Sequence, residues 1–173
     1  MFNAGPQLLR SFATGIAPLG GTVVVSTGQT DPDEPGPLPA NVLARRFVPQ
    51  PEVLARAALF LTHGGMNSVN EAMRAGVPLL LVPQGADQQM VARRVVELGA
   101  GLTMHTQHIT KDSVHRLARR LLHEPGFKAA ATTLKAAQHR AGGHRRAADE
   151  LERYAQAAGL VHDPLPLDPS KRG

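Results

Sequence analysis

A histidine, two glycines, a carboxamide, a hydroxyl and a carboxylate crowd into one short stretch, as His63, Gly64, Gly65, Asn67, Ser68 and Glu71. These residue types suit an anionic, hydroxylated ligand. An imidazole, an amide and a hydroxyl can donate to phosphate oxygens, and a carboxylate accepts from paired hydroxyls such as those of a ribose. The glycines let a ligand approach the main chain. Just before them, Ala58 to Leu61 is an apolar run that reads as a buried strand, and from Asn67 onward the chain reads as a helix. Strand, glycine turn and helix start together make an anion site. The first N–H groups of a helix lack internal partners, and its dipole adds about half a positive charge there. A phosphate or diphosphate is the natural occupant.

The elements that must position these residues alternate between strand and helix, which argues for βαβ units and a parallel sheet. Pro6 to Ile16 reads as helix and Thr22 to Thr27 as a β-branched strand. Residues 28–39 are rich in Pro, Asp and Gly and read as an exposed, mobile loop. Val42 to Phe47 is a second strand, Pro51 to Arg56 a short helix and 58–62 a third strand. The helix from Asn67 ends at Ala75, with Gly76 as its stop and Pro78 beyond. Leu79 to Val82 is the next strand. Asp87 opens a helix with Val91, Val95 and Leu98 on its apolar face, and Gly101 to Met104 is a last short strand. Thr110 is a good N-cap for a helix striped by Val114, Leu117, Leu121 and Leu122. Ala-rich helices follow to Ala158, broken near Pro125 and at Gly142-Gly143. Residues 1–158 read as one domain and 159–173 as a disordered tail.

Composition narrows the class. The 173 residues suffice for one domain with a core, and 42% hydrophobic residues mark a globular chain. With only 3% aromatics that core is Ala, Val and Leu. The absence of cysteine excludes a disulfide scaffold and a thiol nucleophile. No apolar run approaches a membrane span and residues 1–15 lack a signal-peptide core, so a cytoplasmic location is expected. The net charge of +5 raises the question of nucleic acid. Its Arg residues are dispersed along helices, however, with one Tyr and no Trp for base stacking, which argues against such a partner. Eight His residues include no His-x-x-x-His pair beside a carboxylate, and His105 and His108 stand apart, so no metal site is expected. No Gly-x-Gly-x-x-Gly follows a strand and no Gly-Lys-Ser/Thr loop exists, which argues against hydride transfer and ATP hydrolysis. Only four of the nineteen basic residues are Lys, which hints at a GC-rich bacterial source.

Several blocks together carry a family resemblance. Phe47-Val48-Pro49-Gln50, then His63-Gly64-Gly65-Met66-Asn67-Ser68 with Glu71, then Gly76-Val77-Pro78, Pro83-Gln84 and Asp87-Gln88 resemble the donor-sugar signature of GT-B glycosyltransferases in order and spacing. The likeness is to the macrolide and antibiotic glycosyltransferases and to the UDP-glycosyltransferases. It implies an α/β, Rossmann-like parallel sheet with flanking helices, the C-terminal, donor-binding domain of such an enzyme. By the resemblance Asn67 and Ser68 hold the diphosphate with the Gly64-Gly65 turn, and Glu71 takes the ribose hydroxyls. His63 donates to a phosphate oxygen and steadies the departing nucleoside diphosphate. Phe47 stands where relatives have Trp and stacks on the base, Val48 and Gln50 meet base edge and ribose, and Met66 packs beside the sugar. Asp87 and Gln88 bind sugar hydroxyls. Each has a structural alternative: a capping box for Ser68 and Glu71, an N-cap for Asp87, a core role for Phe47 and a backbone-satisfied loop histidine for His63. The catalytic base lies on the acceptor domain of such enzymes, so no residue here is assigned a catalytic role.

The resemblance also implies a gap. The donor domain of the family opens with a strand ending in a Gly-Ser/Thr turn, and this sequence starts where that turn ends, at Phe2-Asn3. In a doubly wound sheet ordered 3-2-1-4-5-6 that strand is central. The acceptor-binding N-terminal domain is absent as well. The implied reaction is an inverting, metal-independent transfer of a sugar, without a cofactor, from a UDP-sugar to a small-molecule hydroxyl. Glu71 and the Asp87-Gln88 pair favour UDP over dTDP. A non-catalytic fragment and a donor-binding subunit that needs a separate acceptor subunit are the alternatives. A sugar-nucleotide epimerase shares the fold but needs catalytic carboxylates not found here.

Overall fold

Among residues 5–160, which the computed structural model describes, strands and helices alternate from the first helix onward. Helix α1 spans Pro6–Ile16, and strands β1 (Val23–Ser26) and β2 (Val42–Arg45) follow. Then come α2 (Gln50–Leu54), β3 (Phe60–Thr62), α3 (Met66–Ala75), β4 (Leu79–Leu81), α4 (Ala86–Glu97) and β5 (Gly101–Thr103). Helices α5 (Lys111–His123), α6 (Pro125–Arg140) and α7 (Gly143–Ala157) complete the order. The expected features at Phe2-Asn3 and in most of the tail lie outside the described residues.

Every strand pairing is parallel, but the strands form two sheets. One is β1–β2, with Val23 opposite Val42, and the other is β3–β4–β5, with Leu61 opposite Leu80 and Leu80 opposite Leu102. Each strand is shorter than its apolar run because the ladder ends where a partner ends. Strand β4 is flanked on both sides and Leu79, Leu80, Leu81 and Val82 have no exposed surface. Side chains alternate across a strand, so these four divide between two layers. Leu79 and Leu81 join Leu54, Val69, Ala72, Met73, Ala92 and Val95 from α2, α3 and α4. Leu80 and Val82 join Leu9 and Phe12 of α1 and Val114 and Leu121 of α5. Each such buried Leu or Val contributes about 1.5–3 kcal/mol.

Three expectations need correction. The Ala58–Leu61 run is not a fully buried strand: Ala58 is exposed and Leu59, Phe60 and Leu61 are half-buried, because among the described residues β3 has a neighbour on the β4 side only. Leu98 is exposed; α4 ends at Glu97, and Ala92 with Val95 makes its buried face. The loop at 28–39 is not simply exposed either. Pro35 is buried and its carbonyl accepts from Arg10 Nη1 at 3.3 Å, while Asp31 pairs with Arg46 at 3.0 Å. The caps behaved as the sequence indicates. Thr110 Oγ1 accepts from Ser113 N at 3.1 Å, and Gly76 ends α3 in the left-handed region at φ 71°.

The described residues fall into two compact units that divide after Ala136. The first holds both sheets and helices α1 to α5 with most of α6. The second contains the end of α6 and α7, an amphipathic helix that exposes Leu151 and Tyr154 and carries the Arg153–Glu150 ion pair at 3.0 Å.

Candidate nucleotide-sugar site

The chain leaves β3 at Thr62, a buried polar residue whose Oγ1 accepts from Gly64 N at 3.3 Å. That bond draws the main chain into a turn in which Gly64 has φ +88°, a conformation that suits glycine alone among common residues. A side chain on Gly64 would also press on Leu81 at 3.2 Å and approach the Gln88 carbonyl at 3.6 Å. Gly65 leaves room for the His63 ring: a Cβ there would lie 2.7 Å from His63 Nε2. The imidazole therefore folds back over its own turn. Burial holds His63 below the usual histidine pKa of 6.5, against the opposing charge of Asp87, so the ring is neutral at neutral pH.

Helix α3 starts at Met66 with Gly65 as N-cap, one residue earlier than the sequence suggested. This start fixes the position of Ser68 in the helix. It sits in the first turn, not at the N-cap, so Ser68 and Glu71 do not form the capping box that their spacing permits. No side chain caps the α3 start, and the first helical bond is Val69 N to Gly65 O at 3.0 Å. The N–H groups of the first turn are left for a ligand. Ser68 and Glu71 are instead engaged from α2: Gln50 Nε2 donates to Glu71 Oε2 at 2.6 Å and to Ser68 Oγ at 3.3 Å.

Phe47 and Val48 follow β2 and lead into α2. Phe47 is 69% exposed, which removes its core alternative and leaves the ring free to stack. Phe47, Val48, Gln50, His63 and Ser68 line one end of a cleft of about 360 Å³. Met66 and Asn67 are exposed at the helix start, with Glu71 half-buried one turn on. Asp87 is the second residue of α4, exposed, with Gly85 as the N-cap, so its N-cap alternative also falls. Gln88 has a structural task that the sequence reading did not assign: its Oε1 accepts from Gln84 N at 2.9 Å and Gly85 N at 3.2 Å. Only its amide N–H remains for a ligand. Because Asp87 acts on His63 and Gln88 approaches Gly64, the starts of α3 and α4 converge on one turn. Thr62 was missed, since a single Thr ending an apolar run carries no signal of its role.

This geometry leaves a crevice at the carboxyl ends of parallel strands, where open α/β folds place ligands. Comparison with known proteins gives the family. Residues 12–146 match the family described as Erythromycin biosynthesis protein CIII-like, C-terminal domain. The NDP-glycosyltransferase YjiC of Bacillus subtilis is 36% identical over 160 residues, 92% of this chain and 41% of that protein. The calicheamicin glycosyltransferase CalG4 superposes with a TM-score of 0.84 at 34% identity, over 91% of this chain and 42% of that one. The glycosyltransferase VinC, solved in complex with DTDP, gives 0.69 at 37% identity, over 73% of this chain and 32% of that one. The chain belongs to the CIII-like family of glycosyltransferases and carries its C-terminal GT-B domain. It spans about two fifths of the length of these curated relatives.

Proposed function

We propose that this domain binds a nucleoside diphosphate sugar, with UDP preferred, for transfer of the sugar to a small-molecule hydroxyl. The observation that carries the reading is the Gln50–Glu71–Ser68 cluster beside the His63 turn. Glu71 presents a carboxylate to the two hydroxyls of a ribose. Phe47 offers a ring for the base and Val48 main-chain groups for its edge. Asn67, Ser68 and the free N–H groups of α3 take the diphosphate, and Asp87 with the Gln88 amide takes sugar hydroxyls. Met66 borders the sugar.

In this reading His63 and the two helix starts stabilise the departing diphosphate, the task a metal performs in other transferases. Inversion follows if a base on an acceptor domain activates the incoming hydroxyl from the opposite face. Because that base is expected elsewhere, the isolated chain should bind donor without transferring it.

A dTDP-sugar is the second reading, favoured by VinC, whose structure holds DTDP. The two differ at the 2′-hydroxyl, which a deoxyribose lacks and Glu71 could accept. Calorimetry with UDP, dTDP and ADP separates them. UDP should bind tightest, and equal affinity for UDP and dTDP would refute the preference.

A further inference from the structure

Phe47 has to be placed by its main chain. It lines the cleft with Gly28, Val48 and His63, but its side chain is 69% exposed, so little packing holds the ring. Downstream, Val48 precedes Pro49, and a residue before proline is confined to extended backbone. Pro49 O in turn accepts from Val53 N at 3.1 Å, which ties this stretch to α2.

Upstream, the residue before the ring is held at both ends. Arg46 O accepts from Gly28 N at 2.9 Å and from Ser26 Oγ at 3.1 Å. Arg46 Nη2 donates to Asp31 Oδ2 at 3.0 Å. The connection from β1 to β2 that supplies these partners is laced together by its own bonds. Thr27 Oγ1 donates to Thr30 O at 2.7 Å, Asp33 N to Asp31 Oδ1 at 3.0 Å and Glu34 N to Asp31 O at 3.1 Å. Beyond them Pro35 is buried, and its carbonyl is tied to Arg10 of α1. The Asp33 N–H, with Arg46 adding to it, holds the Asp31 carboxyl below the usual carboxylate range, so the group is ionised at neutral pH. An exposed ion pair contributes little to stability when two flexible side chains must be fixed to form it. Here one partner is already oriented, and the pair secures the direction in which the chain enters Phe47.

We propose that Asp31 and Arg46 are positioning residues for Phe47: their ion pair, with the Ser26 hydroxyl behind it, fixes the ring where a nucleobase stacks. The inference rests on the nucleotide-sugar reading above and adds to it the source of base discrimination. The phosphate and ribose contacts belong to α3, whereas the ring is set by the β1–β2 connection. Loss of the pair therefore weakens a ligand by what it owes to its base and spares a ligand that has none.

Calorimetry on the full chain, with UDP and with ribose 5-diphosphate, which is UDP without its base, tests this. Asp31→Asn keeps an acceptor for Asp33 N and removes the charge that faces Arg46, and Arg46→Met removes the guanidinium. Both variants should lose roughly three- to tenfold in UDP affinity, the share a stacked ring supplies, with ribose 5-diphosphate unchanged. Arg46→Lys should recover most of the loss, and melting temperatures should barely move because the pair is exposed. A second readout needs no nucleotide. The chain has no Trp, so Phe47→Trp introduces a single indole, whose fluorescence anisotropy should fall when Asp31→Asn or Arg46→Met is added. Unchanged UDP affinity, equal weakening of both ligands, or unchanged anisotropy overturns the proposal. An unaltered chain that binds neither ligand refutes the nucleotide reading instead, and the anisotropy alone then decides whether the pair orders position 47.

Discussion

Gln50 donates a 2.6 Å hydrogen bond to Glu71, linking α2 to the outer turn of α3. The carboxylate is thereby held with one oxygen engaged and the other available. Glu71→Ala should weaken UDP binding by about 1–3 kcal/mol, roughly five- to 150-fold, from the lost ribose hydrogen bonds. Gln50→Ala should cost less, because it frees the carboxylate without removing it. Calorimetry orders the two, and a Glu71→Ala protein that binds UDP normally would remove Glu71 from the site.

His63 predicts a pH signature. Its folded pKa lies below the usual 6.5, so between those two values the unfolded chain holds more protons. Stability from His63 is complete above about pH 6.5 and declines as pH falls through that window. A bound diphosphate works the other way, since it favours the imidazolium. UDP binding should therefore take up protons and tighten between pH 7 and pH 6. Calorimetry in buffers of different ionisation enthalpy measures the uptake, which His63→Gln should abolish.

The two glycines of the turn should fail differently. Gly64→Ala forces a Cβ into a positive-φ position and should cost about 1–2 kcal/mol of stability. Gly65→Ala must push the His63 ring from its place, so affinity for UDP should fall more than the melting temperature does. Thermal melts and calorimetry on both variants check the contrast, and loss of stability alone in Gly65→Ala would contradict it.

Burial sets the last contrast. Leu80→Ala leaves a cavity in a strand with no exposed surface and should cost about 2–5 kcal/mol. Leu43→Ala, on a β2 side chain that is 46% exposed, should stay within about 0.5 kcal/mol. Urea denaturation of the two variants reads the difference directly.

Much of this protein is determined by local sequence. The apolar run from Leu79 to Val82, the Thr110 cap and the Gly76 stop are short-range signals, and each element formed within a residue or two of its expected place. Parallel pairing followed from the alternation of strands and helices. The blocks from Phe47 to Gln88 disclosed the family because nucleotide-sugar chemistry needs particular residue types at fixed spacing.

Other facts arose only from tertiary contacts. Whether Ser68 caps a helix depended on where α3 begins, and its start at Met66 leaves Ser68 inside the first turn. Ser-x-x-Glu spacing fits either outcome. Gln88 acquired its task because two loop N–H groups lay within reach of its side chain. The half-exposure of Leu59 to Leu61 depended on which strand stands beside β3, a long-range matter to which an apolar run is blind. The pairing of Gln50 with Glu71 spans twenty-one positions; the resemblance sets both near one ribose, but their direct hydrogen bond exists only because folding brings α2 against α3.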